Sequence, residues 1–179
     1  MTEVQHDGQV LSGKVLARSA LLDVAVVDTA TPAAFPALRR GGELVLGEPI
    51  VNVGFPLQSL LVATPNLTRG NVSARGALEG SLGQFQFSAP IQPGASGGPV
   101  VSDGGELLGI AVGTLNAARL IEKGVLPQNV QLALEARYAA QFMRAHGIEF
   151  TEVEPDAHGD SRRGNDAALA AVVRLACYQ

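Results

Sequence analysis

Gly94-Ala95-Ser96-Gly97-Gly98-Pro99-Val100-Val101 is the stretch on which the reading of this sequence turns. A serine set among glycines on a tight loop presents its hydroxyl. The glycines also let the chain turn so that successive N–H groups converge on one point. Converging amides meet the need of a carbonyl oxygen on which negative charge develops. The pattern points to Ser96 Oγ as a nucleophile and to the N–H groups of Gly94 and Ser96 as an oxyanion hole. By spacing alone, a Gly-rich hairpin loop with an ordinary serine fits equally well, because short Gly/Ser strings recur in turns.

The flanks of this loop read as β-structure. Residues 99–102 and 106–114 form a hairpin around Ser102-Asp103-Gly104-Gly105, and residues 84–88 (QFQFS) alternate as a half-buried strand does. Further upstream, residues 60–75 suggest two strands broken near Pro65 and Gly70. Residues 43–54 suggest strand, turn and strand about Gly47-Glu48-Pro49, and residues 29–42 a loop. Residues 21–28 (LLDVAVVD) read as a buried strand and residues 8–17 as a hairpin through Ser12-Gly13. Downstream, residues 132–146 have helical spacing, with Leu134, Tyr138, Gln141 and Phe142 near one face and Gly147 as the stop. Residues 154–166 read as a mobile polar linker, and residues 167–177 as a strand or short helix. Two parts are expected: a domain over residues 1–150 and a tail over 151–179.

Composition narrows the function classes. Of 179 residues, 46% are hydrophobic and 17% charged, which excludes a disordered polyelectrolyte. The 21 glycines and the short Val/Leu/Ile runs favour an all-β domain. A net charge of -4 without a basic block argues against nucleic acid as a partner. The single cysteine, Cys177, closes no internal disulfide. No apolar run reaches membrane-spanning length, and residues 1–20 lack the charged and apolar regions of a signal peptide. The expectation is a soluble chain without its own export signal, cytoplasmic as it stands and periplasmic if an N-terminal segment is missing.

A second element lies 73 positions before the serine: Asp23-Val24-Ala25-Val26-Val27. A carboxylate at the start of such a strand can accept a hydrogen bond from an imidazole and hold its tautomer. With Gly54-Phe55-Pro56, Thr68-Arg69-Gly70-Asn71-Val72-Ser73-Ala74, Gly105-Glu106-Leu107-Leu108-Gly109-Ile110 and Pro127-Gln128-Asn129-Val130-Gln131-Leu132-Ala133, the order of segments resembles the trypsin-like serine proteases, in particular their HtrA/Deg-like branch. The resemblance covers about residues 7–145. It implies a mainly β fold: a double β-barrel whose N-terminal barrel is incomplete, plus one C-terminal helix. It also implies a polypeptide substrate and no metal or cofactor. Ser96 and Asp23 would be catalytic, and Ile91, Gln92, Ile110, Ala111, Val112 and Gly113 would line the substrate pocket. No acid stands among those pocket residues, so a small or medium apolar side chain is the expected preference.

One part of the pattern is missing. The family places its general-base histidine a few tens of residues before the aspartate, and only 22 residues precede Asp23. His6, His146 and His158 all read as surface histidines outside the motif. Loss of the triad histidine costs on the order of 10⁶ in kcat in a related mechanism. The chain by itself is therefore expected to be all but inactive and to associate through its open barrel edges. Truncation is the simplest explanation. A degenerate protease serving as a peptide-binding scaffold is the alternative, and an unrelated β-rich interaction domain with a chance serine loop is the third.

Overall fold

A computed structural model describes residues 2–6, 9–29, 36–41, 44–56, 64–77, 82–114, 130–156 and 158–177. Its centre is a closed barrel of six strands: β5 (Pro49–Gly54), β6 (Asn66–Ala74), β7 (Gln84–Phe87), β8 (Pro99–Ser102), β9 (Leu107–Thr114) and β10 (Gln131–Glu135). They pair in the order β10-β7-β6-β5-β8-β9, and a further β9–β10 pairing closes the ring. Period-two alternation in QFQF sends Phe85 and Phe87 to the barrel interior, where both are fully buried with their rings 6.2 Å apart. Ile50, Val72, Val100, Leu108 and Ala133 pack in the same core.

Strand β5 does not alternate, because both of its faces are covered. Val51 and Val53 point away from the barrel interior and join Val101 in a second cluster, closed by Ala168 and Val172 of the C-terminal segment. A two-residue strand β4 (Leu38–Arg39) pairs in parallel with β9 and with β11 (Glu152–Val153). Helix α1 (Ala136–Ala145) packs Ala136 and Ala140 on Leu38. It ends as expected at Gly147: the N–H of Ile148 donates to the Met143 carbonyl, that of Gly147 donates to Arg144, and Gly147 has φ +66°.

A second sheet stands beside the barrel. It holds β1 (Thr2–His6), β2 (Gln9–Ser19), β3 (Val24–Thr29) and β12 (Arg174–Cys177) in the antiparallel order β12-β1-β2-β3. Helix α2 (Ser161–Ala171) leads into β12. Asp160 caps it by accepting a hydrogen bond from the Arg163 N–H at 2.8 Å.

The mainly β fold with its barrel is as the sequence implied, and several local readings are corrected. Among the described residues a second helix stands beside the expected one: residues 161–166 of the supposed linker are helical and continue into the tail, which holds both a helix and a strand. Residues 132–135 are the barrel-closing strand rather than the first turn of a helix. A short apolar run suits either element, and here the open edges of β7 and β9 recruit it. Ser12 and Gly13 lie inside β2, so the hairpin is β1 with β2 in the register His6 to Gln9. Strand β6 runs unbroken through Gly70, and residues 44–46 form no strand. Strand β3 is only partly buried, because it is an outer strand of its sheet. The expected strand start at 60–63 and residues 30–35 and 42 of the expected loop fall outside the described residues, and Leu38–Arg39 of that loop form β4.

Candidate active site at the serine loop

Two consecutive turns build the loop. The Ala95 N–H donates to the Gln92 carbonyl at 3.0 Å, and the Gly98 N–H donates to the Ala95 carbonyl at 3.1 Å. Gly94 and Gly97, third in their turns, have φ of +98° and +86°. This is the conformation a type II turn demands at that position, and Pro93 suits the position before Gly94. The N–H groups of Gly94 and Ser96 take no part in either turn bond.

The loop is pinned from both sides. The Gly97 N–H donates to the Ala111 carbonyl at 2.7 Å, and the Ala111 N–H donates to the Gly98 carbonyl at 2.9 Å. On the other side the loop presses on the end of β5. A Cβ on Gly98 would stand 2.1 Å from the Val53 carbonyl oxygen, and one on Gly54 would stand 2.8 Å from Ala95 Cα. Glycine is thus required where two backbones meet. With Ala95 buried beneath it, Ser96 is left exposed.

Ser96 lines a cavity of about 660 Å³ between the barrel and the second sheet. Val24 to Val27 of β3 form one wall, Phe142 and Phe150 a second, and residues 171–175 a third. The lining begins one residue after Asp23. That carboxylate is exposed, in the left-handed conformation at φ +52°, in the turn where the Leu22 N–H donates to Ser19 Oγ at 3.2 Å. Aspartate is among the residues that tolerate this backbone. The buried strand start expected for Asp23 is corrected accordingly.

The six residues expected to form the substrate pocket separate. Ile110 lines the cavity. Ile91 and Ala111 turn into the barrel core, because they alternate inward beside the loop. Gln92 is exposed, and Val112 is half-buried. Gly113 lies beside the serine, where a Cβ would meet only Ser96 Oγ, at 3.7 Å. Among the described residues no histidine lines the cavity. His146 packs on Phe142 with ring centroids 4.4 Å apart and its Nδ1 2.8 Å from the Phe142 carbonyl. His158 is exposed, and His6 is the last residue of β1. Among the described residues no group of His, Cys, Asp and Glu could hold a metal ion.

Sequence reasoning missed a buried ionic cluster behind the β8–β9 hairpin. Arg39 and Glu106 are both buried. Arg39 Nη1 donates to Glu48 at 2.9 Å, Nη2 donates to the other Glu48 oxygen, and Nη2 reaches Glu106 at 3.3 Å. Glu106 also accepts from the Ser102 hydroxyl and, at 2.6 Å, from the Asp156 N–H. Burial pushes the Glu106 carboxyl up, but the Ser102, Asp156 and Arg39 donors together hold it below the usual range. Burial likewise opposes the charge on Arg39, and the two glutamates outweigh it, so its pKa is raised. The cavity walls from α1 and from residues 171–175 were missed too. Their apolar spacing was legible, but not the face to which they would dock.

A closed barrel with an exposed serine on a double turn, facing a cleft shared with a second sheet, is the arrangement of a trypsin-like peptidase. The chain belongs to that family: residues 1–110 match the trypsin-like peptidase domain. Within it, the chain is similar to proteases of the HtrA and DegP-like kind. It is 35% identical over 149 residues to an uncharacterized protein, y4bJ, of Sinorhizobium fredii, covering 82% of this chain and 23% of that one. It is 30% identical over 115 residues to the serine protease Do-like HtrA of Bacillus subtilis, covering 59% of this chain and 25% of that protein. The chain thus spans about a quarter of the length of these relatives. Its fold is similar to the crystal structure of a serine endoprotease from Yersinia pestis, with a TM-score of 0.63, 23% identity, and coverage of 78% of this chain and 46% of that one.

Proposed function

We propose that the serine loop supports endopeptidase chemistry, with Ser96 Oγ attacking the scissile carbonyl to give an acyl-enzyme. The Gly94 and Ser96 amides hold the oxyanion, and Asp23 orients the imidazole that takes the serine proton. The observation that carries this reading is the pair of turns, which fixes an exposed hydroxyl beside two N–H groups free of the turn bonds. Among the described residues no histidine lines the cavity to serve as general base. In this reading the imidazole comes from outside these 179 residues, and the isolated chain hydrolyses peptides at a small residual rate, roughly 10³ over water.

The lack of a cavity-lining histidine among the described residues favours a second reading, in which the fold binds peptides without cleaving them. A fluorophosphonate probe separates the two, with and without added imidazole as a stand-in base. Catalytic machinery predicts imidazole-dependent labelling that Ser96→Ala abolishes. A binder predicts no labelling at Ser96 under either condition, and that result would defeat the endopeptidase proposal.

A further inference from the structure

Gln131 puts a polar group where the barrel otherwise buries apolar ones. It is the first residue of β10 and pairs with Phe87, the last of β7, on one side and with Thr114, the last of β9, on the other. Residues directly opposite across a ladder share a face, as do alternate residues along a strand. Phe87 and Ala133 both belong to the barrel core, so the Gln131 side chain enters the barrel with them. Gln131 is 7% exposed, and its Oε1 is buried and accepts no hydrogen bond among the described residues. Leaving a buried acceptor unmet is costly, so a side chain that does so beside a candidate site calls for an explanation.

Its position relates the amide to the serine. Residues 88–94 leave the barrel at Phe87 and lead into the serine loop, so Gln131 stands at the end of the barrel from which that loop springs. Gly113 precedes Thr114 and pairs with Leu132, and a Cβ on it would meet only Ser96 Oγ, at 3.7 Å. The backbone beside Gln131 is thus bare on the side of the serine hydroxyl. No acid stands in residues 84–101, 107–114 or 130–134, so a cation entering here would lose water without gaining an anion. An apolar group would leave Oε1 unmet, whereas an uncharged N–H or O–H donor would satisfy it. We propose that Gln131 determines specificity at the Ser96 site: its Oε1 accepts a hydrogen bond from an uncharged polar side chain of the bound peptide, of the carboxamide kind, entering across Gly113. This rests on the reading of the serine loop as a site that takes peptides, and it differs from the apolar preference that the family resemblance implied.

Labelled peptides of three alanines followed by a C-terminal glutamine, norleucine or lysine test it, with fluorescence anisotropy reporting binding to the full chain. The glutamine peptide should bind about tenfold more tightly than the other two, the size expected when one buried acceptor is left unpaired. Gln131→Met keeps an unbranched side chain of similar length and removes its polar end. It should make norleucine the preferred residue, and Tm should hold or rise, because no hydrogen bond within the chain is lost. Gln86→Met, on the outward face of β7, should leave the order of affinities unchanged. An unchanged glutamine preference in Gln131→Met would overturn the assignment, and so would equal binding of the three peptides by the unsubstituted chain, or binding of none. A fall in Tm for Gln131→Met would show that Oε1 has a partner within the chain, and would overturn it too. None of these readouts uses the serine hydroxyl. Gln131-dependent binding without fluorophosphonate labelling at Ser96 would remove only the endopeptidase reading, whereas labelling without Gln131 dependence would remove only this one.

Discussion

Replacing Glu106 by alanine should be among the most damaging single changes in this protein. Its side chain is almost wholly buried and accepts from two segments distant in sequence, Arg39 of β4 and the Asp156 N–H, and from the nearby Ser102 of β8. Removing it leaves the Ser102 hydroxyl and the Asp156 N–H without their acceptor, while Arg39 keeps Glu48. Breaking a buried pair typically costs about 3–5 kcal/mol, and the surviving Glu48 contact puts the expectation near the lower end. For a chain of this size about 2–4 °C accompanies each kcal/mol, so a fall in Tm of roughly 6–12 °C should result. Glu106→Gln keeps the shape and loses the charge, and it should cost about half as much, since hydrogen bonds to a charged group are the stronger ones. Urea denaturation followed by circular dichroism measures both. A loss below about 1 kcal/mol for the alanine variant would show that water replaces the carboxylate freely, and that the cluster is not the dry, paired site described above.

The same carboxylate shapes the acid limb of stability. Its folded pKa lies below the ordinary value of 4.5, so its contribution is complete above that pH and is lost as pH falls through the lower folded value. Denaturation midpoints measured downward from pH 6 should therefore drop more steeply for the wild type than for Glu106→Gln, and parallel curves would contradict the assignment. Gly98→Ala should destabilise by about 1–3 kcal/mol, because its methyl group meets the Val53 carbonyl at a distance no rotamer change can relieve. The same variant should lose fluorophosphonate labelling by more than its unfolded fraction, since the turn carrying Ser96 must shift.

The tight glycine-rich loop was legible from residues 93–98, because turn geometry is local, although those residues fit a nucleophile and an ordinary serine equally well. A proline followed by glycine and a serine followed by glycine specify two turns whatever the rest of the chain does, and the structure holds both. Strands β5, β7, β8 and β9 were legible for a related reason: their runs are bounded by turn residues, and QFQF alternates. The sequence was ambiguous where one apolar run suits two elements. LALE became a strand because β7 and β9 each offered it an edge, and no window around Leu132 contains that information.

The candidate pocket shows the same limit. Ile91 and Ala111 were assigned to the pocket by the family resemblance, yet a one-residue alternation turns them into the core. Arg39, Glu48 and Glu106 look like surface charges in any local reading, and only the approach of β4 to β9 makes them partners. Local sequence set the serine's backbone because a turn is decided by the φ preferences of neighbouring residues. Tertiary structure alone decided what surrounds that serine, because burial and pairing are properties of segments that meet in space after long separations along the chain.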